Sequence, residues 1–82
     1  MLTNEQVKNL ETLYNSYSFN VELSNRLGHD FDKRTYISKM WTLSAVLDIL
    51  GYQAEFKERD EKYGTEYDCF TIIECKKVNK EK

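Results

Sequence analysis

The chain lacks proline, and its three glycines stand far apart at positions 28, 51 and 64. A phosphate-binding loop needs glycines grouped within a few residues, so the spacing of these three excludes one. The sequence also contains no internal repeat, no low-complexity tract and no linker-like segment. We therefore expect one small domain over residues 1–82, with a frayed, lysine-rich tail from about residue 77.

Long apolar runs and an excess of positive charge are also missing. No stretch approaches the roughly 20 apolar residues of a membrane-spanning helix. The opening residues, MLTNEQVKNLE, lack the basic and apolar regions of a signal peptide. The net charge of −2 argues against a dedicated nucleic-acid binder, because neutralising phosphates requires clustered Lys and Arg. We expect a cytoplasmic protein with no membrane partner.

Histidine is nearly absent, and the single one, His29, lies beside Asp30 and Asp32. A metal site needs three or four converging ligands, and this group offers too few. Acidic residues just before a helix are typical of capping, and Asp32 is the predicted cap of the second helix. The sequence therefore predicts no metal site here.

The two cysteines, Cys69 and Cys75, are predicted to form neither a nucleophilic site nor a disulfide with each other. Their neighbours Asp68 and Glu74 would raise a thiol pKa, whereas an active thiol needs a lowered one. Six residues apart on one strand, their Cα atoms would be roughly 20 Å apart, beyond the ~7 Å of a disulfide. We expect no catalytic residue and no cofactor, and hence a protein that is not an enzyme.

Residues 35–52 (TYISKMWTLSAVLDILGY) predict an amphipathic helix that ends at Gly51. Trp41, with Ile37 and Ser44, widens its apolar stripe, so the helix should touch more than one neighbour. The core stripe recurs at intervals of three and four residues and comprises Tyr36, Met40, Leu43, Leu47 and Leu50.

The first helix begins with a capping box formed by Thr3 and Gln6, and its periodicity is clear to about Asn15. Residues 17–27 fit either of two structures. A continued helix ending at Gly28 is favoured, but the alternation over residues 17–23 also fits a strand. The solvent side of this helix is predicted to carry Glu5, Lys8, Asn9 and Glu11.

After Gly51 the pattern changes to the alternation of strands. We expect a hairpin of residues 52–57 and 67–75, joined by the turn-rich stretch RDEKYGTE around Gly64. The fold class is α+β, with two N-terminal helices packed on a C-terminal antiparallel β-hairpin (ααββ). The alternative is αβαββ, with residues 17–23 as a third strand. Because the second strand is apolar on both faces, it needs cover from a third strand, a second copy or a partner protein.

The hairpin is acidic and rich in tyrosine, which suits protein recognition because tyrosine offers large contact area at low entropic cost. We predict a non-enzymatic protein–protein interaction module. By size, acidity and lack of catalytic residues it is similar to small accessory proteins of bacteriophages and mobile elements, some of which inhibit host proteins. The predicted contact residues are Tyr52, Tyr63, Glu66, Tyr67, Phe70 and Ile72.

Two other functions stay open at this point. A small DNA- or RNA-binding regulator would use Lys33, Arg34 and Lys39. A small-ligand or nucleotide binder, formed between protomers, would use Arg34, Tyr36 and Trp41. A homodimer, or a partner protein that completes the core, is expected because so short a chain buries only roughly 60–65% of its unfolded surface.

Overall fold

Two helices are followed by a two-stranded antiparallel hairpin in the computed structural model, which describes residues 2–75. The ααββ arrangement of the α+β class is therefore confirmed. The lysine-rich tail predicted from residue 77 lies outside the described residues. The elements are α1 (Asn4–Leu27), α2 (Asp30–Leu50), β1 (Tyr52–Lys62) and β2 (Thr65–Glu74).

Helix α1 is a single helix of 24 residues, so the alternative with a third strand at residues 17–23 is wrong. The predicted capping box is present, since Gln6 N donates to Thr3 Oγ1 and Thr3 N donates to Gln6 Oε1. The helix ends where Gly28 takes a φ of 74°. His29 N then donates to Ser24 O at 2.8 Å, which together with the bond from Gly28 N to Asn25 O makes a Schellman ending.

Helix α2 begins earlier than predicted. Asp32 is not its cap but lies in its first turn with Asp30, and the residue at the cap position is His29, whose side chain makes no capping bond. The connector is short because the Schellman ending turns the chain within two residues, and Lys33 N already donates to His29 O. The two carboxylates still lie near the positive end of the helix dipole, which favours them there.

The hairpin turn is much tighter than the eight-residue stretch predicted from the sequence. Lys62 pairs with Thr65, so only Tyr63 and Gly64 form the loop. Both have positive φ, 52° and 75°, as a type I′ turn requires. The charged residues before and after the turn are strand residues, and β1 carries one register shift between Phe56 and Glu58.

Helix α1 also satisfies the edge of β2 that faces away from β1. Three polar side chains, spaced at intervals of four and three residues, bind backbone groups of this edge. An exposed strand edge would otherwise be a template for pairing, so this stripe of α1 takes the place of the third strand. The prediction that Glu11 points to solvent is therefore wrong. The bonds are Ile72 N to Glu11 (2.9 Å), Phe70 N and O to Asn15 (2.7 and 3.0 Å), and Ser18 to Asp68 O (2.6 Å).

The core is small and forms where α1, α2 and the base of the hairpin meet. Its buried hydrophobic residues are Tyr14, Leu47, Tyr52 and Ile72. The Tyr14 hydroxyl also shares a hydrogen bond of 3.0 Å with Ser44 of α2, which ties the two helices together.

The second helix contributes less to this core than its pattern suggested. Leu47 is fully buried, whereas Leu50, predicted on the same stripe, is 49% exposed, and Trp41 is 74% exposed. Trp41 projects about 120° around the helix from Leu47 at 100° per residue, which turns it away from the core.

Candidate functional site

The hairpin residues predicted for recognition are divided between the core and the surface. Tyr52 and Ile72 are buried and therefore belong to the core. Phe70 is half-buried, with its ring edge-on to Tyr14 at a centroid distance of 5.2 Å. These three side chains stabilise the fold described here and leave little surface for a partner.

The other hairpin candidates lie towards the turn. Tyr67 packs edge-on against Phe19 at 5.2 Å, and burial raises the pKa of its phenol, with a further contribution from a hydrogen bond to Cys69. Tyr63 is 81% exposed, and Glu66 is exposed beside Arg59.

The acidic character of the hairpin is partly neutralised by Arg59. Its guanidinium binds Asp68 and lies 3.5 Å from the Glu66 carboxylate. The hydrogen bond to Asp68 is the largest cause of the raised pKa of Arg59. Two carboxylates of the predicted acidic surface are therefore held in a local ion cluster.

The three basic residues proposed for nucleic acid do not form one patch. Lys33 donates to Asn25 at 2.9 Å across the helix connection. Lys39 lies over the rings of Tyr17 and Tyr36, at 5.8 and 5.6 Å from their centroids. Arg34 projects about 100° from Lys33 and about 140° from Lys39 around α2. Phosphate binding by the three together is therefore not supported by their placement.

The residues proposed for a small ligand are not assembled either. Tyr36 is half-buried with its ring 6.3 Å from that of Tyr17, on the side of α2 that faces α1. Arg34 and Trp41 are both exposed and lie on nearly the same line along the helix, about 20° apart. Of the three ligand candidates, only Arg34 and Trp41 are therefore neighbours.

Two of the most exposed large hydrophobic side chains of the described residues lie on one face of α2, opposite Leu47. Phe31 and Ile49 are 76% and 82% exposed and lie at the two ends of this surface. Between them the residues are small or carry hydroxyl groups. We call this surface the outer face of α2: Phe31, Thr35, Ser38, Thr42, Ala45 and Ile49.

An open groove of about 660 Å³ continues the outer face towards α1. Leu13 and Val46, which are 41% and 45% exposed, form its apolar sides. Exposed apolar side chains that line a groove are a common feature of interaction sites. The groove is lined by Leu13, Tyr17, Phe31, Arg34, Thr35, Ser38, Lys39, Thr42, Leu43 and Val46.

Sequence reasoning missed this surface because Phe31 lies before the predicted cap, Asp32, and Ile49 lies outside the predicted core stripe. A signal was nevertheless present, since apolar residues occur around most of the circumference of α2. A helix that is apolar on all sides needs more than one apolar neighbour. In this fold α1 and the hairpin cover one side of α2 and leave the outer face open.

No metal-binding geometry accompanies this surface among the described residues. In residues 2–75 no three His, Cys, Asp or Glu side chains converge closely enough to hold a metal ion. His29 Nδ1 lies 3.9 Å from Asp32, with both side chains more than half exposed. Cys69 and Cys75 are free and half-buried. Neither helix among the described residues is long and apolar enough to cross a membrane.

Comparison with known proteins does not assign the chain to a family. No family model, no curated protein and no solved structure matches the chain.

Proposed function

We propose that the protein is a non-enzymatic protein–protein interaction module that binds through the outer face of α2 and the adjoining groove. The observation that carries this proposal is the exposure of Phe31, Trp41 and Ile49, which are 76%, 74% and 82% accessible on one helix. The fold buries only four hydrophobic side chains in its core among the described residues. The apolar residues left outside are thus as prominent as those inside.

The energetics favour a partner for this surface. Covering a Phe or Ile side chain contributes roughly 1.5–3 kcal/mol, and two such residues lie at the ends of the outer face. Trp41 stands at its margin, and tryptophan is enriched among the residues that dominate binding energy. A protein that covers this surface gains apolar burial that the isolated chain lacks.

The shape of the surface favours a helical partner. Two antiparallel helices with an apolar groove between them can accept a third helix, which lays its own apolar stripe into the groove. The groove of about 660 Å³ follows α2 from Phe31 to Val46, or roughly 22 Å of helix. The free edge of β1 is a poorer site, because charged side chains line it and oppose strand pairing.

An inhibitory role towards a host protein, as in the phage accessory proteins of similar size and acidity, stays a prediction from composition. The cytoplasmic location and the lack of catalytic activity stay predictions as well. The inhibitory role depends on which protein binds the outer face.

Affinity capture from a cell extract tests the proposal when two matched variants are compared. Ile49→Glu places a charge in the outer face, and Tyr63→Glu places the same charge at the hairpin turn, at an equally exposed position. We expect proteins retained by the wild type and Tyr63→Glu to be lost from Ile49→Glu, with all three chains folded by circular dichroism. Loss from Tyr63→Glu alone, or equal retention by all three, would contradict the proposal.

A further inference from the structure

The outer face of α2 has the spacing of a coiled-coil seam. Its residues follow one another at intervals of four, three, four, three and four along the helix. This alternation keeps one narrow stripe directed at a partner helix. The bulky residues Phe31 and Ile49 stand at its ends, and small residues stand between them. Two helices can approach closely over such a centre, because the separation of helix axes depends on the side chains at the contact.

This seam complements a copy of itself. If a second α2 lies antiparallel, with the two-fold axis near residues 40 and 41, Phe31 of each chain meets Ile49 of the other. Ser38 meets Thr42 in the same way. A two-fold interface requires one surface to match itself in this manner. A parallel pair would instead place the two Phe31 rings at one end and the two Ile49 side chains at the other.

The charges beside the seam have the same symmetry. Arg34, Trp41 and Asp48 are spaced by seven residues each, so they form one row along the margin of the outer face, drifting only about 20° per seven residues. Arg34 and Asp48 stand equally far, about 10 Å, on either side of Trp41. In the antiparallel pair Arg34 of each chain faces Asp48 of the other, whereas in a parallel pair this row would face the opposite margin of the partner helix and Arg34 would not meet Asp48.

These charges are also free to form such pairs. Among residues 2–75 the side chains of Arg34 and Asp48 have no ion-pair partner, although both are exposed. The opposite margin carries Lys39, which is directed over the rings of Tyr17 and Tyr36 and so leans towards α1. The charged side chains that can pair across the interface therefore lie on the margin that contains Trp41.

We infer that the outer face of α2 binds a second copy of this chain, as an antiparallel pair of α2 helices with Trp41 beside the two-fold axis. The inference rests on the proposed function and names the occupant of its surface. The two α1–α2 hairpins then form a four-helix arrangement, with the β-hairpins at the outside. Val46 and Leu13 of each groove lie next to the partner helix and extend the contact.

Charge reversal at the two margin positions tests this pairing in the full chain under reducing conditions. Arg34→Asp gives a chain with two carboxylates on the row, and Asp48→Arg gives a chain with two cations. Each variant alone should show about a tenfold weaker dimer by sedimentation equilibrium, because like charges then face each other twice. An equimolar mixture should recover wild-type dimerisation as a heterodimer, since both cross-pairs are then opposite in sign.

Neither substitution should disturb the folded chain. The new carboxylate lies in the N-terminal half of α2 and the new guanidinium in its last turn, so each lies towards the end that its charge favours. Lys8→Asp, the same type of reversal at an exposed position of α1, is the matched control and should leave dimerisation unchanged.

Any one of three results would overturn the inference. The wild type could stay monomeric at about 100 μM, or the equimolar mixture could be no more dimeric than its two components. Lys8→Asp could also weaken the dimer as much as the reversals at positions 34 and 48. The proposed function is tested separately by capture of other proteins. A monomeric wild type that still loses bound proteins on Ile49→Glu would refute self-pairing alone.

Discussion

Replacing Asn15 with Ala should destabilise the protein through two hydrogen bonds that join α1 to the edge of β2. The Asn15 amide accepts from Phe70 N at 2.7 Å and donates to Phe70 O at 3.0 Å. Both bonds are part-buried, and the outer edge of β2 has no neighbouring strand at this point in residues 2–75. The variant therefore leaves one backbone donor and one acceptor without their protein partner.

The size of the effect follows from these two groups. A net contribution of about 0.5–1.5 kcal/mol per bond, and a cost of about 1–3 kcal/mol for a buried group left unsatisfied, give roughly 2–4 kcal/mol in total, allowing for water at the partly open edge. A chain of 82 residues has a free energy of unfolding of about 4–12 kcal/mol. Asn15→Ala should thus remove a large fraction of the stability.

Urea unfolding followed by circular dichroism measures the loss, and Asn20→Ala is the control. Asn20 lies on the same helix, but its side chain donates only to Ser16 O, in an exposed hydrogen bond within the helix. Because both substitutions change helix propensity equally, the difference between the variants isolates the contacts with β2. A loss below about 0.5 kcal/mol at Asn15, or equal losses at both positions, would refute the claim that α1 stabilises the β2 edge.

Three further predictions concern the core, a helix end and pH. At a dilution where the chain is monomeric, Leu47→Ala should lower the free energy of unfolding by about 2–5 kcal/mol and Ile49→Ala by less than about 0.5, because in the single chain the first is fully buried and the second 82% exposed; equal losses would contradict this. Gly51→Ala should lower the free energy of unfolding by about 1 kcal/mol in the same assay, because Gly51 has a φ of 88°, which alanine adopts only with strain. An added Cβ meets no atom within 4 Å, so the loss comes from the backbone conformation. An unchanged unfolding midpoint would contradict this prediction. Burial raises the pKa of the Tyr67 phenol, so the folded protein favours the neutral phenol. This preference contributes fully to stability below the ordinary pKa of about 10 and is lost as the pH rises through the pKa of the folded protein. Tyr67→Phe should therefore lose less stability than the wild type between about pH 8 and pH 11, and parallel losses would refute this assignment.

The helices could be predicted well because their signals are local. The capping box at Thr3 and the glycines at 28 and 51 mark real helix ends, and the spacing of apolar residues fits both helices. The choice between helix and strand for residues 17–27 was harder, because residues 17–23 satisfy both periods. Burial of Ser18 and Tyr14 on one face of α1 decides it in favour of the helix.

The limits of the hairpin could not be predicted, because its outer half is held by pairing and not by burial. Residues 58–62 of β1 are all exposed, so they show no apolar alternation and look like a loop in the sequence. The hydrogen bonds of Glu11 and Asn15 to the edge of β2 could not be predicted for a related reason. A polar residue on a helix has the same pattern whether it meets water or the backbone of a strand edge.

The binding surface required the fold to be known. Leu43 and Leu47 on one side of α2 and Phe31 and Ile49 on the other are equally apolar in sequence. Which stripe is buried depends on where α1 and the hairpin attach, and that is a tertiary contact. The seven-residue spacing of Arg34, Trp41 and Asp48 is visible in the sequence, but it acquires a meaning only when that row is seen to lie at the edge of an open surface.

Site-specific photo-crosslinking tests most directly whether the outer face of α2 binds protein. A photoreactive amino acid is placed at position 49 in one chain and at position 63 in another, where the native side chains are 82% and 81% exposed. We predict discrete adducts from position 49, to a second copy or to another protein, and none above background from position 63. Adducts from position 63 alone, or from neither position, would contradict the assignment of the outer face as the binding surface.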